Sequence, residues 1–299
     1  MTMEHFSLPL AEPLSTAHGQ IESREGFLVR FDHRGETGLG EATPLPSWTE
    51  SLDDCQQALE RALETYESEG HSAALLELDA GTVPAARHGF ATALLDADAR
   101  ADDVALARWF DPDASLGSVP VNATIGDGSV EETTRAARAA VDDGFDCLKL
   151  KVGVRSVEED VRRVRATREA LGEEVTLRVD ANGAWNAETA QRALDAFEDL
   201  GVAYVEQPLP ASDLDGHAAL ESGAVGIAID ESFREYTAAE VLDADVADVV
   251  ILKPMVLGGP GNAHTIAMRA REAGIEPVVT TTVDAVVARV AAVHVAAAI

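Results

Sequence analysis

Asp180, Glu206 and Asp230 lie 26 and 24 residues apart, and Lys253 follows 23 residues later. Each ends a short apolar run: TLRVD, AYVE, GIAID and DVVILK. Each step is about one strand plus one helix, so the four side chains recur at equivalent strand ends. In a barrel of parallel strands such ends gather on one face around a single cavity. Three carboxylates there suit a hard divalent cation, Mg²⁺ with Mn²⁺ as the alternative. A lone strand-end Asp could equally cap the next helix. Three in succession argue for a ligand set. Asn182 and Glu231, two and one residues beyond Asp180 and Asp230, are placed to orient the ligands.

Lysines flank these acids. Lys149 and Lys151 alternate with Leu148, Leu150 and Val152 in CLKLKV, so period two puts both on one strand face. The outside of a parallel barrel packs on helices, which turns the lysine face inward. Burying a lysine is costly unless it is used. Beside a cation and a second lysine, its pKa falls and it can serve as a base near neutrality. Lys253, at the end of the sixth strand, lies across the barrel from the second. The chemistry that fits is proton abstraction next to a carboxylate. A divalent cation stabilises the dianionic enediolate, one lysine takes the proton, and the opposite lysine acts as an acid or a fixed cation.

The elements needed to hold these residues are legible. Strand and helix alternate seven times from Val119: VPVNATI, CLKLKV, TLRVDAN, AYVEQP, GIAIDES, DVVILKP and EPVVTTT, each followed by a helical segment. That pattern means a parallel sheet with right-handed crossovers. Seven units, without a glycine-rich phosphate fingerprint after the first strand, favour a barrel over a dinucleotide-binding sheet. A closed eight-stranded barrel would need one more strand. Residues 3–40 alternate apolar and polar in a meander. Ser51 is placed to cap a helix over 52–69, and a second helical region runs 84–110 with Pro84 in its first turn. The expected architecture is α/β: an α+β domain over 1–115 and a (β/α) barrel over 116–299 that lacks its last strand.

The 299 residues carry 53 acidic against 23 basic side chains, a formal charge of −30. Such a balance disfavours nucleic acid and anionic membranes as partners. The acids are spread along helices, as in a surface solvated for high salt, where self-repulsion is screened. Two distant cysteines, Cys55 and Cys147, form neither a disulfide framework nor a zinc cluster, which points to a reducing cytoplasm. The N-terminus has no signal-peptide pattern. Residues 283–299 are apolar but too short, and with Arg289 and His294 too polar, to span a bilayer, so they read as a buried helix.

At these residues the chain resembles the enolase superfamily, in the muconate-lactonizing subgroup with paired lysines. K-x-K at Lys149 and Lys151, D-x-N at Asp180 and Asn182, E-Q-P at Glu206, D-E-S at Asp230 and K-P at Lys253 stand in that family's order. The resemblance implies a Mg²⁺ enzyme acting on a small carboxylate, with oligomeric state left open. It also implies an N-terminal capping domain whose loops, 16–20 and 44–49, close over the substrate. Within the subgroup, GEATPLPSWTES, ILKPMVLGG and VVTTTVDAVVARVAAVHVAAAI are most similar to the o-succinylbenzoate synthases, dehydratases of menaquinone biosynthesis. By that likeness Lys151 is the base, Lys253 the cation on the enediolate, and Thr16, His18, Trp48, Gly258, Gly259 and Thr281 touch the substrate. Asp284 is followed by Ala285, Val286, Val287 and Ala288, where relatives often carry Ser and then Gly. Three other readings compete. N-succinylamino acid racemases and dipeptide epimerases use the same metal and lysines. A Schiff-base aldolase would leave the carboxylates unexplained. A truncated barrel could bind without turnover.

Overall fold

A computed structural model describes residues 2–16, 19–221 and 223–299. The elements in chain order are β1 (Thr2–Thr16), β2 (Gly19–His33), β3 (Glu36–Ala42), α1 (Leu52–Glu69), α2 (His71–Glu77), α3 (Pro84–Ala101) and α4 (Leu106–Phe110). Then come β4 (Ala123–Ile125), α5 (Val130–Asp142), β5 (Cys147–Lys151), α6 (Val157–Leu171), β6 (Thr176–Asp180) and α7 (Ala187–Glu198). The chain continues with β7 (Val202–Glu206), α8 (Leu214–Ala218), β8 (Gly226–Ile229), a 3-10 turn (Glu231–Arg234) and α9 (Ala238–Asp243). It closes with β9 (Val249–Leu252), α10 (Pro260–Glu272), β10 (Glu276–Val279) and α11 (Val286–Ala297).

These elements form two compact units, one of residues 1–119, 252–268 and 278–299, the other of 120–251 and 269–277. In the first, β1, β2 and β3 make the expected antiparallel meander. Its apolar face, with Phe27, Val29 and Phe31, packs on α1 and α3. α3 lies against β3 because glycine removes the side chain between them: a Cβ on Gly40 would strike the Gly89 carbonyl. Ser51 caps α1 by accepting from the Asp54 N–H, and Pro84 opens α3. The helical region expected over 84–110 is instead two helices, broken after Ala101 where Asp103 takes a positive φ of 54°.

The C-terminal helix belongs to this same unit and is tied to β3. Glu41, fully buried, accepts from the N–H groups of Ala285, Val287 and Ala288, the unsatisfied first-turn donors of α11. Arg24, 5% exposed, donates to the carbonyls of Thr43, Pro44 and Val283. Val283 has φ 61°, a strained value for a β-branched residue, held by this clamp.

In the sheet of seven strands the order is β10-β9-β8-β7-β6-β5-β4. Neighbours from β4 to β9 pair in parallel. VPVNATI contributes only its last three residues as β4. Pro120 has no N–H for a ladder, and pairing with β5 begins at Ala123. Leu148, Leu150, Leu177, Val179 and Val205 are fully buried with Ala137, Val164, Ala190 and Leu194 of the helices. The lysines and acids alternate with them on the opposite strand face.

Candidate active site

Register brings the site residues of β5, β6 and β7 side by side. Lys151 pairs with Asp180, and Asp180 with Glu206. Lys149 Nζ donates to both Glu206 oxygens at 2.9 Å and lies 3.2 Å from Asp180 Oδ2. Lys151 Nζ donates to Asp180 Oδ2 at 2.6 Å and to Asn182 Oδ1 at 2.9 Å. Asn182 passes the chain on, donating from Nδ2 to Glu231 Oε1 at 2.9 Å. Asp180, Glu206 and Asp230 are 1%, 1% and 4% exposed.

Burial raises both acids of the β6–β7 pair, but two ammonium groups decide Asp180 and pull it below the ordinary carboxylate range. Glu206 goes the other way: burial, then the neighbouring Asp180 charge, pushes it up. Burial would lower Lys149, yet Glu206 and Asp180, lying directly against it, hold the ammonium well above the ordinary lysine range.

The donor set fits a hard divalent cation in kind: oxygen-only, buried, and with Glu206 pushed up by burial and by the neighbouring Asp180 charge. As placed, no group of three His, Cys, Asp or Glu side chains among the described residues forms a ready cage. Lys149 stands against both Asp180 and Glu206 and supplies charge there.

Two supporting residues carry no role in the sequence reading. Gln207, fully buried with φ 43°, accepts from the Asp230 and Ser232 N–H groups at 3.0 and 3.2 Å and donates to Ser232 Oγ at 2.8 Å. It pins the turn that carries Asp230. Arg163, 1% exposed, donates to the Lys151 and Gly126 carbonyls at 2.9 and 3.1 Å and pairs with Asp160 at 2.8 Å. The signal was present: an Arg on the apolar side of α6 and a Gln directly after an acid. Neither type announces a partner so far away in sequence.

In the other unit, Lys253 Nζ sits 3.3 Å from the centroid of the Trp48 ring. Trp48 is aimed by a tight loop: Ser47 has φ 76°, and the Trp48 and Thr49 N–H groups both donate to the Leu45 carbonyl at 2.9 Å. Gly258 and Gly259 follow in the turn after Lys253 with φ of 76° and 137°. A Cβ on Gly258 would lie 2.8 Å from Ala80 Cβ and 2.9 Å from Arg87 Cδ, so packing alone demands a glycine there. Thr281, half-buried, follows β10. Thr16 ends β1 opposite Gly19. His18 lies outside the described residues.

The family model described as Enolase C-terminal domain-like matches residues 132–299. That described as MenC, N-terminal domain, matches 1–97. The L-Ala-D/L-Glu epimerase of Clostridium acetobutylicum is 31% identical, over 98% of this chain and 85% of its own. The o-succinylbenzoate synthase of Thermosynechococcus vestitus is 32% identical, over 97% and 86%. Among solved structures, the dipeptide epimerase of Enterococcus faecalis complexed with Mg and the dipeptide L-Leu-L-Tyr superposes with TM-score 0.89 at 28% identity, over 100% of this chain and 86% of its own.

Proposed function

Since the chain belongs to the enolase superfamily, we propose that it is an o-succinylbenzoate synthase, removing water from 2-succinyl-6-hydroxy-2,4-cyclohexadiene-1-carboxylate. The observation that carries this reading is the Trp48 ring over Lys253 Nζ. An aromatic face attracts an ammonium and gives a neutral amine no such hold. Dehydration needs one base and one lasting cation. Racemisation needs each lysine to serve as base in turn. The match of residues 1–97 to the MenC N-terminal model supports the same choice.

In this reading Lys151, held by Asp180 and Asn182, takes the α-proton. The C–H electrons pass into an enediolate, and the ammonium of Lys253 stabilises the charge. The C–O bond on the same ring face then breaks. Lys151 returns its proton to the departing hydroxide as water, and the ring becomes aromatic. Asp180, Glu206 and Asp230 would hold Mg²⁺. When bound, the metal would supply positive charge to the enediolate. Asn182 and Glu231 orient that set.

A second reading, N-succinylamino acid racemase or dipeptide epimerase, draws on the 31% identity to an epimerase and the 0.89 superposition on a dipeptide epimerase. The test follows loss of the diene absorbance in KCl and Mg²⁺, and again with EDTA. Metal-dependent turnover is expected. Inert diene together with solvent-deuterium exchange into N-succinylamino acids or dipeptides would replace the first reading by the second.

A further inference from the structure

We propose that the unit built on the parallel strands holds a second small-molecule site, for a small monoanion such as a halide or a monocarboxylate. It lies at the N-terminal ends of the strands, away from the acids. A cavity of about 460 Å³ is present there, its walls including Thr176, Arg178, Tyr204, Gly226, Asp248 and Glu276. The volume is that of a ligand pocket rather than a packing defect.

Arg178 is the reason to expect an anion. It is half-buried, and its guanidinium lies over the Tyr204 ring, 5.0 Å from the centroid. Its Nε is buried with no hydrogen-bond partner. A buried unsatisfied donor on a charged group is costly and calls for a partner. A guanidinium offers a planar fork of N–H donors that one carboxylate oxygen pair, or one halide, can fill. Arg178 is itself one of the cavity walls, stacked on the Tyr204 ring that forms another.

The other walls limit the ligand's charge and size. Asp248 already accepts from the Ile227 N–H at 2.8 Å and keeps its carboxylate at the site. Glu276 stands exposed at the same opening. These two acids, in a chain of net charge −30, disfavour dianions. Gly226 and the adjacent Gly223, Ala203 and Ala224 leave room for a few heavy atoms. Arg178 lies two residues before Asp180, and Tyr204 two before Glu206. On each strand the two side chains share a face, roughly 7 Å apart along the strand. The site therefore underlies the carboxylate layer without using any of its residues.

The experiment compares wild type, Arg178→Met and the cavity-filling Ala224→Phe at fixed K⁺ and ionic strength. Chloride, acetate and sulfate are exchanged against one another. Thermal unfolding is followed beside ³⁵Cl line broadening. Wild type should show a saturable rise of a few degrees in Tm with chloride or acetate but not with sulfate, and chloride broadening that acetate displaces. Both variants should lose the saturable component while keeping the general response to salt. The chloride and acetate arms separate the inorganic source from the organic one. Equal responses in all three proteins, or in all three anions, would reduce the cavity to hydrated space and overturn the site. A variant that fails to fold leaves the other to decide, and the line-broadening competition in wild type decides without either.

Discussion

Lys151 and Lys253 have separable roles in the proposed reaction. Lys151→Ala should lower kcat by roughly 10²–10⁴-fold, the usual worth of a general base, with the circular-dichroism spectrum unchanged. Retained turnover would move the base elsewhere. Trp48→Leu removes the aromatic face and keeps apolar bulk. It should lower kcat by about tenfold, as a cation–π contact of 1–2 kcal/mol implies, while Trp48→Phe recovers most of the loss. A change in KM alone would make Trp48 a binding residue only. The acids and lysines were legible because each is a polar residue interrupting an apolar strand at a fixed interval. Gln207 and Arg163 were not, since each satisfies backbone groups on other elements. The Trp48–Lys253 pair joins residues 205 apart in sequence, a distance no local pattern reports.

Elements differ in how plainly their ends are written in the sequence. Ser51 announces α1 to the residue. α2 has no such signal: its seven residues begin after Gly70 with no side-chain cap. β4 is shorter than the alternation in VPVNATI suggests, because apolar alternation does not reveal which residues find a ladder partner. The cap of α11 was also invisible, since its acceptor, Glu41, lies 244 residues before Ala285. Glu41→Gln keeps the shape and one acceptor oxygen but removes the charge at a helix N-terminus and strands a buried amide. It should destabilise by about 2–3 kcal/mol, read as a lower urea midpoint. An unchanged midpoint would mean that water satisfies those three N–H groups.

For the whole molecule, charge and protonation set the stability. With net charge −30, folding should require KCl near molar concentration, where the Debye length is about 3 Å. A full circular-dichroism signal in dilute buffer would contradict this. Asp284 adds a pH dependence. Burial first, then the neighbouring Glu41 charge, pushes its carboxyl up to about 6, against Thr282 and Arg24, which pull it down. The folded state thus binds this proton more tightly than the unfolded chain does. Its contribution is fully present below the unfolded pKa near 4 and is lost as pH rises through 6, a difference of about 3 kcal/mol. Asp284→Asn should flatten the stability curve between pH 4 and 6 relative to wild type. Parallel curves would show that the group titrates normally. The Glu41 cap also has a consequence for synthesis. The first 119 residues share their compact unit with residues 252–268 and 278–299. Phe27 and its neighbours are buried in one cluster with Met255 and Ala288. On the ribosome the leading segment must therefore wait, with apolar surface uncovered, until the last helix emerges. The barrel strands can condense while it waits, and the nascent chain is most exposed to chaperones and to aggregation in that interval.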